Sequence, residues 1–272
     1  MVNSLIKGSL FEEKRVVVTL SGGKASAYCA KWAFENFPKE KVVLYFNDTK
    51  WEHKDLYRFL DDLSKFFDHP ITEDSDGRSV DEVMFDKRAL ANNRMPFCSR
   101  ILKAERLQKF CQSGDLLIFG ISNDEMDRVL RIVPIYRELS ARKNKQLAIR
   151  FPLIETATSK EAIDEWLKLI GIKQPLLYDL GFSHNNCSGG CVRAGKKQWV
   201  RLYKNLPDVY AHRETVEKEM QEYLGKDVTI LKDESLEQLR YRIDNDLLSA
   251  HYNDEDEDEG PTECIGICGT KN

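Results

Sequence analysis

Val16-Val17-Val18-Thr19-Leu20-Ser21-Gly22-Gly23-Lys24-Ala25-Ser26 is the stretch on which the fold turns. A short run of β-branched and apolar residues ends in a glycine pair, and Ala25 to Phe37 then has helical spacing. The reading is strand, glycine turn, helix. Glycines at the carboxyl end of a first strand let backbone N–H groups approach an anion, and the N-terminus of the next helix adds favourable dipole charge. Ser21 and Ser26 add hydroxyls and Lys24 a cation. The spacing is not that of the Walker loop, which places four residues between its first Gly and the Gly-Lys pair. The alternative is a turn that uses glycine only for tightness; the position after the first strand favours an anion cradle.

Outward from this loop, Val42 to Asn47 is a second buried strand, followed by Asp48-Thr49 and a helix from Lys54 to Phe67. Ile71 marks a third strand, Asp115 to Gly120 a fourth and Leu147 to Leu153 a fifth. Strands alternating with helices specify an α/β fold with a doubly wound, mostly parallel sheet. Thr158 with Glu161 reads as a capping box opening a helix from Ser159 to about Ile170, and Ser235 with Gln238 as one opening Leu236 to Leu248. The expected organisation is a nucleotide-binding α/β domain over 1–180, a cysteine loop and basic helical extension over 181–252, and an acidic flexible tail with a cysteine pair over 253–272. No internal repeat is visible.

The chain has 272 residues and a formal charge of only −4, so it is not a polyanion binder as a whole. It has no run approaching the roughly 18 apolar residues of a membrane span, and its first residues lack a secretory apolar run. A soluble, cytoplasmic protein is expected, without membrane association. In that compartment its seven cysteines point to metal or redox chemistry rather than a disulfide framework. Cys29 and Cys111 sit in apolar helical patterns and read as core. Cys98, Cys187, Cys191, Cys264 and Cys268 sit beside Pro, Gly and polar residues. Cys187-Ser188-Gly189-Gly190-Cys191 places two thiols four apart with glycines between, and Cys98 is a candidate third ligand. A [4Fe-4S] cluster, a zinc site and free thiols all remain open on this pattern.

Arg193, Lys196, Lys197, Arg201 and Lys204 interleave with Trp199 and Tyr203, which suits either a nucleic-acid-binding patch or an amphipathic helix with a solvated basic face. Arg94 and Arg100 flank Cys98, and Arg128 follows the fourth strand; these are candidates for an anionic substrate. The five histidines show no ligand spacing.

The loop, Phe46-Asn47-Asp48-Thr49, Pro96-Phe97-Cys98-Ser99-Arg100 with Lys103, and Gly120-Ile121-Ser122 with Glu125 and Arg128 fall in a recognisable order. Pro152-Leu153-Ile154 and Pro175-Leu176-Leu177-Tyr178-Asp179-Leu180-Gly181-Phe182-Ser183 continue it. The chain resembles the PP-loop ATP pyrophosphatase superfamily, and within it the phosphoadenylyl-sulfate (PAPS) reductase-like branch. The resemblance implies a Rossmann-like PP-loop fold that binds ATP, or PAPS or its relative APS, with Mg2+. Ser21, Gly22, Gly23, Lys24, Ser26, Asp48, Thr49 and Gly120 would be at the nucleotide, and Cys98, Cys187 and Cys191 would hold a [4Fe-4S] cluster. Thr262 to Cys268 is similar to the tail of PAPS reductases, which implies a catalytic role for Cys264 or Cys268 alongside Lys24, with a sulfur donor or a thioredoxin-like reductant as partner. Two departures bear on mechanism: the loop's usual Asp is Ala25, and Lys24 is retained where sulfonucleotide reductases usually lack it. Lys24 suits a nucleotide with more phosphate charge, such as ATP. The implied activities are adenylation followed by thiolation of an acceptor, direct reduction of a sulfonucleotide, or nucleotide binding without catalysis.

Overall fold

The computed structural model of the chain describes residues 13–249. Along the chain run β1 (Arg15–Leu20), α1 (Lys24–Asn36), β2 (Val42–Asp48), α2 (Lys54–Phe67), β3 (Ile71–Ser75) and α3 (Val80–Lys87). Then come α4 (Glu105–Phe110), β4 (Asp115–Phe119), α5 (Met126–Lys143), β5 (Leu147–Arg150) and α6 (Lys160–Leu169). Three further helices follow: α7 (Lys196–Asn205), α8 (Pro207–Leu224) and α9 (Leu236–Asp244). The contacts divide the chain into two compact units that interleave in sequence. Among the described residues, the first comprises 13–47, Lys54–Asp74 and Glu105–Pro175; the second comprises Asp48–His53, Ser75–Ala104 and 176–249.

The first unit is built on a five-stranded parallel sheet in the order β3-β2-β1-β4-β5. Its register explains the apolar runs. Val16 pairs with Val42 and Leu116, and Val18 with Leu44 and Ile118, so these side chains share one face. That face packs against Cys29, Ala30 and Ala33 of α1 and Leu56 and Leu60 of α2. Val17 is also fully buried, because a parallel sheet with helices on both faces has no wet side. The chain winds outward from β1 through β2 to β3, then returns to place β4 on the other side of β1. Open α/β sheets bind ligands at the carboxyl ends of strands where the order reverses in this way.

Three boundaries differ from the sequence reading. β5 stops at Arg150, and Pro152, whose fixed φ suits a helix start, opens the helical turn Pro152–Glu155. Ser159, not Thr158, caps α6, accepting the Ala162 N–H at 3.2 Å, while the Thr158 hydroxyl bonds that of Thr156 at 2.6 Å. The box at Ser235 and Gln238 is formed, but α9 ends at Asp244.

The second unit packs α3, α7, α8 and α9 around a separate core that includes Met84, Trp199, Tyr210, Met220 and Leu236. Arg213 and Glu217 of α8 are buried with it.

Candidate functional site

The phosphate loop lies in the first unit, between β1 and α1. Gly22 is buried at φ +78, and a Cβ there would come within 2.5 Å of Leu56 Cδ1, so the turn requires glycine for both conformation and space. Gly23 is the N-cap of α1, and no side chain caps that helix N-terminus. The Ser26 hydroxyl accepts from Ser21 N at 3.1 Å and Ser21 Oγ at 3.2 Å, and donates to the Gly23 carbonyl at 2.9 Å. The loop is thus closed on itself by its own hydroxyls. Gly120, just past β4, faces the start of α1. A Cβ there would sit 2.7 Å from Ser26 N and 2.8 Å from Ser26 Cα, so its bare backbone is what lets α1 lie close to β4.

Lys24 opens α1, and its ammonium meets the Asp164 carboxylate of α6 at 2.6 Å. Asp164 carried no signal in the sequence. It lies 140 residues away, and its spacing within α6 is that of any half-exposed helical residue. Arg128 of α5 is held by Glu125, three residues earlier.

Asp48 and Thr49 belong to the second unit, where they shape a turn. Asp48 Oδ1 accepts the Lys50 N–H at 2.8 Å, with Lys50 at φ +59. Buried Thr49 donates to Glu52 Oε1 at 2.9 Å. Glu52 has a side chain only 1% exposed, ion-paired with Lys103 at 3.3 Å. Its other oxygen accepts the backbone N–H of Cys187 at 2.7 Å.

The cysteine loop is held from every side. Cys187, Ser188 and Gly189 take φ of +48, +54 and +81, a left-handed turn that L-residues with a Cβ adopt only at a cost. Ser188 Oγ donates to the Trp51 carbonyl at 2.9 Å, and Gln198 Nε2 to the Gly189 carbonyl at 2.6 Å. Arg213 lies with its guanidinium carbon 3.4 Å from the centre of the Trp51 ring and donates to the Cys187 carbonyl at 3.4 Å. Burial pulls the Arg213 pKa down to about 10, against the opposing influence of Cys187, Asp81, Glu52 and Cys191. Burial, followed by the charge of Arg213, also lowers the pKa of His212, whose Nδ1 faces Arg213 at 2.7 Å. Sequence reasoning found Cys187 and Cys191 but missed Glu52, Gln198 and Arg213.

Cys98, Cys187 and Cys191 are all buried in the core of the second unit. Among the described residues, however, no group of three or more His, Cys, Asp or Glu side chains is arranged to hold a metal ion. The [4Fe-4S] cluster expected at Cys98, Cys187 and Cys191 is therefore not shown by this arrangement. Cys264 and Cys268 lie outside the described residues. Arg94 and Arg100 are exposed on either side of buried Cys98. Cys29 and Cys111 are core thiols, and burial pushes the Cys111 thiol up to about 12. In the basic segment Trp199 is fully buried, Lys196 pairs with Glu234, and Tyr203 donates to Asp244 at 2.6 Å. No helix among the described residues is long and apolar enough to cross a membrane.

A glycine loop after β1, an uncapped helix N-terminus behind it and a reversal of strand order beside it define a nucleotide-binding α/β protein of the PP-loop kind. The profile of the phosphoadenosine phosphosulfate reductase domain matches residues 15–194, well over half of the chain. The chain belongs to that family. Comparison with curated proteins gives no match.

Proposed function

We propose that the Ser21–Ser26 loop holds the phosphates of an adenine nucleotide and that the protein is an enzyme using that nucleotide in sulfur transfer. The observation that carries this reading is the N-terminus of α1. It is capped by Gly23 without a side chain and set at the point where β1 and β4 diverge in chain order. An anion bound there meets backbone N–H groups and the positive end of a helix, with hydroxyls and Lys24 at its edge.

With ATP as substrate, an acceptor oxygen attacks the α-phosphorus and pyrophosphate leaves. A sulfur nucleophile then attacks the activated carbon and expels AMP, which carries away the oxygen. The loop's role is to orient the phosphates and to offset charge on the leaving pyrophosphate. Mg2+ would accompany the ATP, bound mainly through its phosphates.

The family match favours a second reading, reduction of a sulfonucleotide. There a thiolate of Cys264 attacks the sulfonyl sulfur and displaces the nucleotide. A dithiol of thioredoxin type then releases sulfite from the thiosulfonate and is itself oxidised to the disulfide.

Titration calorimetry of the full chain, purified anaerobically, with ATP and PAPS ranks the two nucleotides. Product analysis then separates the reactions: pyrophosphate and AMP from ATP mark the first, sulfite from PAPS the second. Cys264→Ser abolishes sulfite release under the second reading and leaves pyrophosphate release intact under the first. Failure to bind either nucleotide overturns both.

A further inference from the structure

The loop Ser21–Ser26 carries one cation and no carboxylate of its own. A carboxylate reaches it from α6, that of Asp164. That helix is anchored on α1 through Ala27, Trp166 and Leu167, with Tyr28 set edge-on to Trp166 at 5.4 Å. Buried Ile163, Trp166 and Leu167 fix the orientation of α6, so Asp164 is presented to Lys24 by a rigid element. The two side chains are 20% and 40% exposed, so the pair is partly solvated and opens at little cost.

From this we infer that Asp164 is a specificity-determining residue that sets how strongly the loop favours added phosphate charge. The inference rests on the reading of the loop as a nucleotide site. Lys24 is held by a fixed carboxylate, and a phosphate group recruits that ammonium only by taking it from Asp164. The carboxylate is then left facing the incoming anion. Each further phosphate charge gains from Lys24 but is opposed by Asp164, so the pair flattens the difference in affinity between a nucleoside triphosphate and a monophosphate. Without that carboxylate, the action of the ammonium on the phosphates would no longer be opposed by Asp164.

The test is calorimetric titration of AMP, ADP and ATP into the wild type, Asp164→Asn, Asp164→Glu, Lys24→Met and the double variant. Asp164→Asn is expected to tighten ATP about three- to fivefold while moving AMP less than about twofold, the scale of one exposed charge pair. It should also steepen the salt dependence of ATP binding. Asp164→Glu should restore wild-type ratios, and Asp164→Asn should have no effect on the ratio in the Lys24→Met background. A purely structural role for Asp164 would shift melting temperature and all three affinities together. An unchanged or reduced ATP-to-AMP ratio in Asp164→Asn overturns the inference, as does the same change without Lys24. A wild type that binds none of the three overturns the underlying reading of the loop, and the inference with it.

Discussion

The Glu52 carboxylate accepts the backbone N–H of Cys187 at 2.7 Å, joining the turn after β2 to a residue 135 positions away. The other oxygen of Glu52 takes Lys103 and Thr49, so one buried side chain anchors three segments of the second unit. The left-handed turn at Cys187 and Ser188 persists because such contacts over-determine it.

Glu52→Ala removes the carboxylate partner of Lys103, whose side chain is 13% exposed, and is expected to cost about 3–5 kcal/mol in urea unfolding. Glu52→Gln keeps an acceptor for the Cys187 N–H and should cost clearly less. Hydrogen exchange at the Cys187 amide should accelerate in the alanine variant. Equal losses in the two variants would show that the hydrogen bond to the Cys187 N–H is not what Glu52 contributes.

Gly120→Ala forces a Cβ against the backbone of Ser26, which cannot swing aside as a side chain would. The expected loss is about 3 kcal/mol of stability, together with loss of nucleotide binding as α1 is pushed off β4. Gly171→Ala is the control: it has φ +70 with nothing near its Cβ, so it should cost only the left-handed strain of about 1–2 kcal/mol. Similar losses at both positions would refute the close approach of β4 and α1.

Glu217 is buried in α8 and accepts the Ile230 N–H at 2.7 Å and the Leu236 N–H at 2.6 Å. Burial outweighs these bonds and raises its pKa to about 7. The folded state thus binds a proton more readily than the unfolded chain between the ordinary carboxylate range and pH 7. This group's contribution to stability is present below that window and falls as pH rises through it, by up to about 3 kcal/mol. Urea midpoints measured from pH 4.5 to 7.5 should lose this component in Glu217→Gln. An unchanged slope in the variant would assign the pH dependence elsewhere.

Arg213→Lys keeps the charge but loses the guanidinium contact with the Trp51 ring and the reach to the Cys187 carbonyl. A loss of about 2–4 kcal/mol is expected, together with faster alkylation of Cys187 as its loop loosens. Wild-type stability and alkylation rates in this variant would mean that charge alone suffices at this position.

Much of the first unit was legible because its signals are local. The β1 run and the glycines after it constrain backbone within a few residues, and α2 was readable from end to end, Lys54 to Phe67, from its apolar spacing. The cap of α6 was misplaced by one residue because Thr158 and Ser159 are chemically alike, and only the neighbouring Thr156 hydroxyl chooses between them. Cysteine spacing suggested a ligand set, and the fold buries Cys98, Cys187 and Cys191 in one apolar core, which spacing alone does not reveal.

The sequence alone determined the strand, glycine turn and helix of the phosphate loop, the parallel α/β class and the family. These follow from conformational preferences and periodicities that act between near neighbours. Tertiary structure alone decided that Asp164 holds Lys24, that Gly120 lets α1 close on β4, and that Glu52 and Arg213 clamp the turn at Cys187. A charged side chain looks the same in sequence whether it is solvated or paired. Its partner is chosen by how helices and strands far apart in the chain pack, and by the cost of burying a charge or N–H group without a partner.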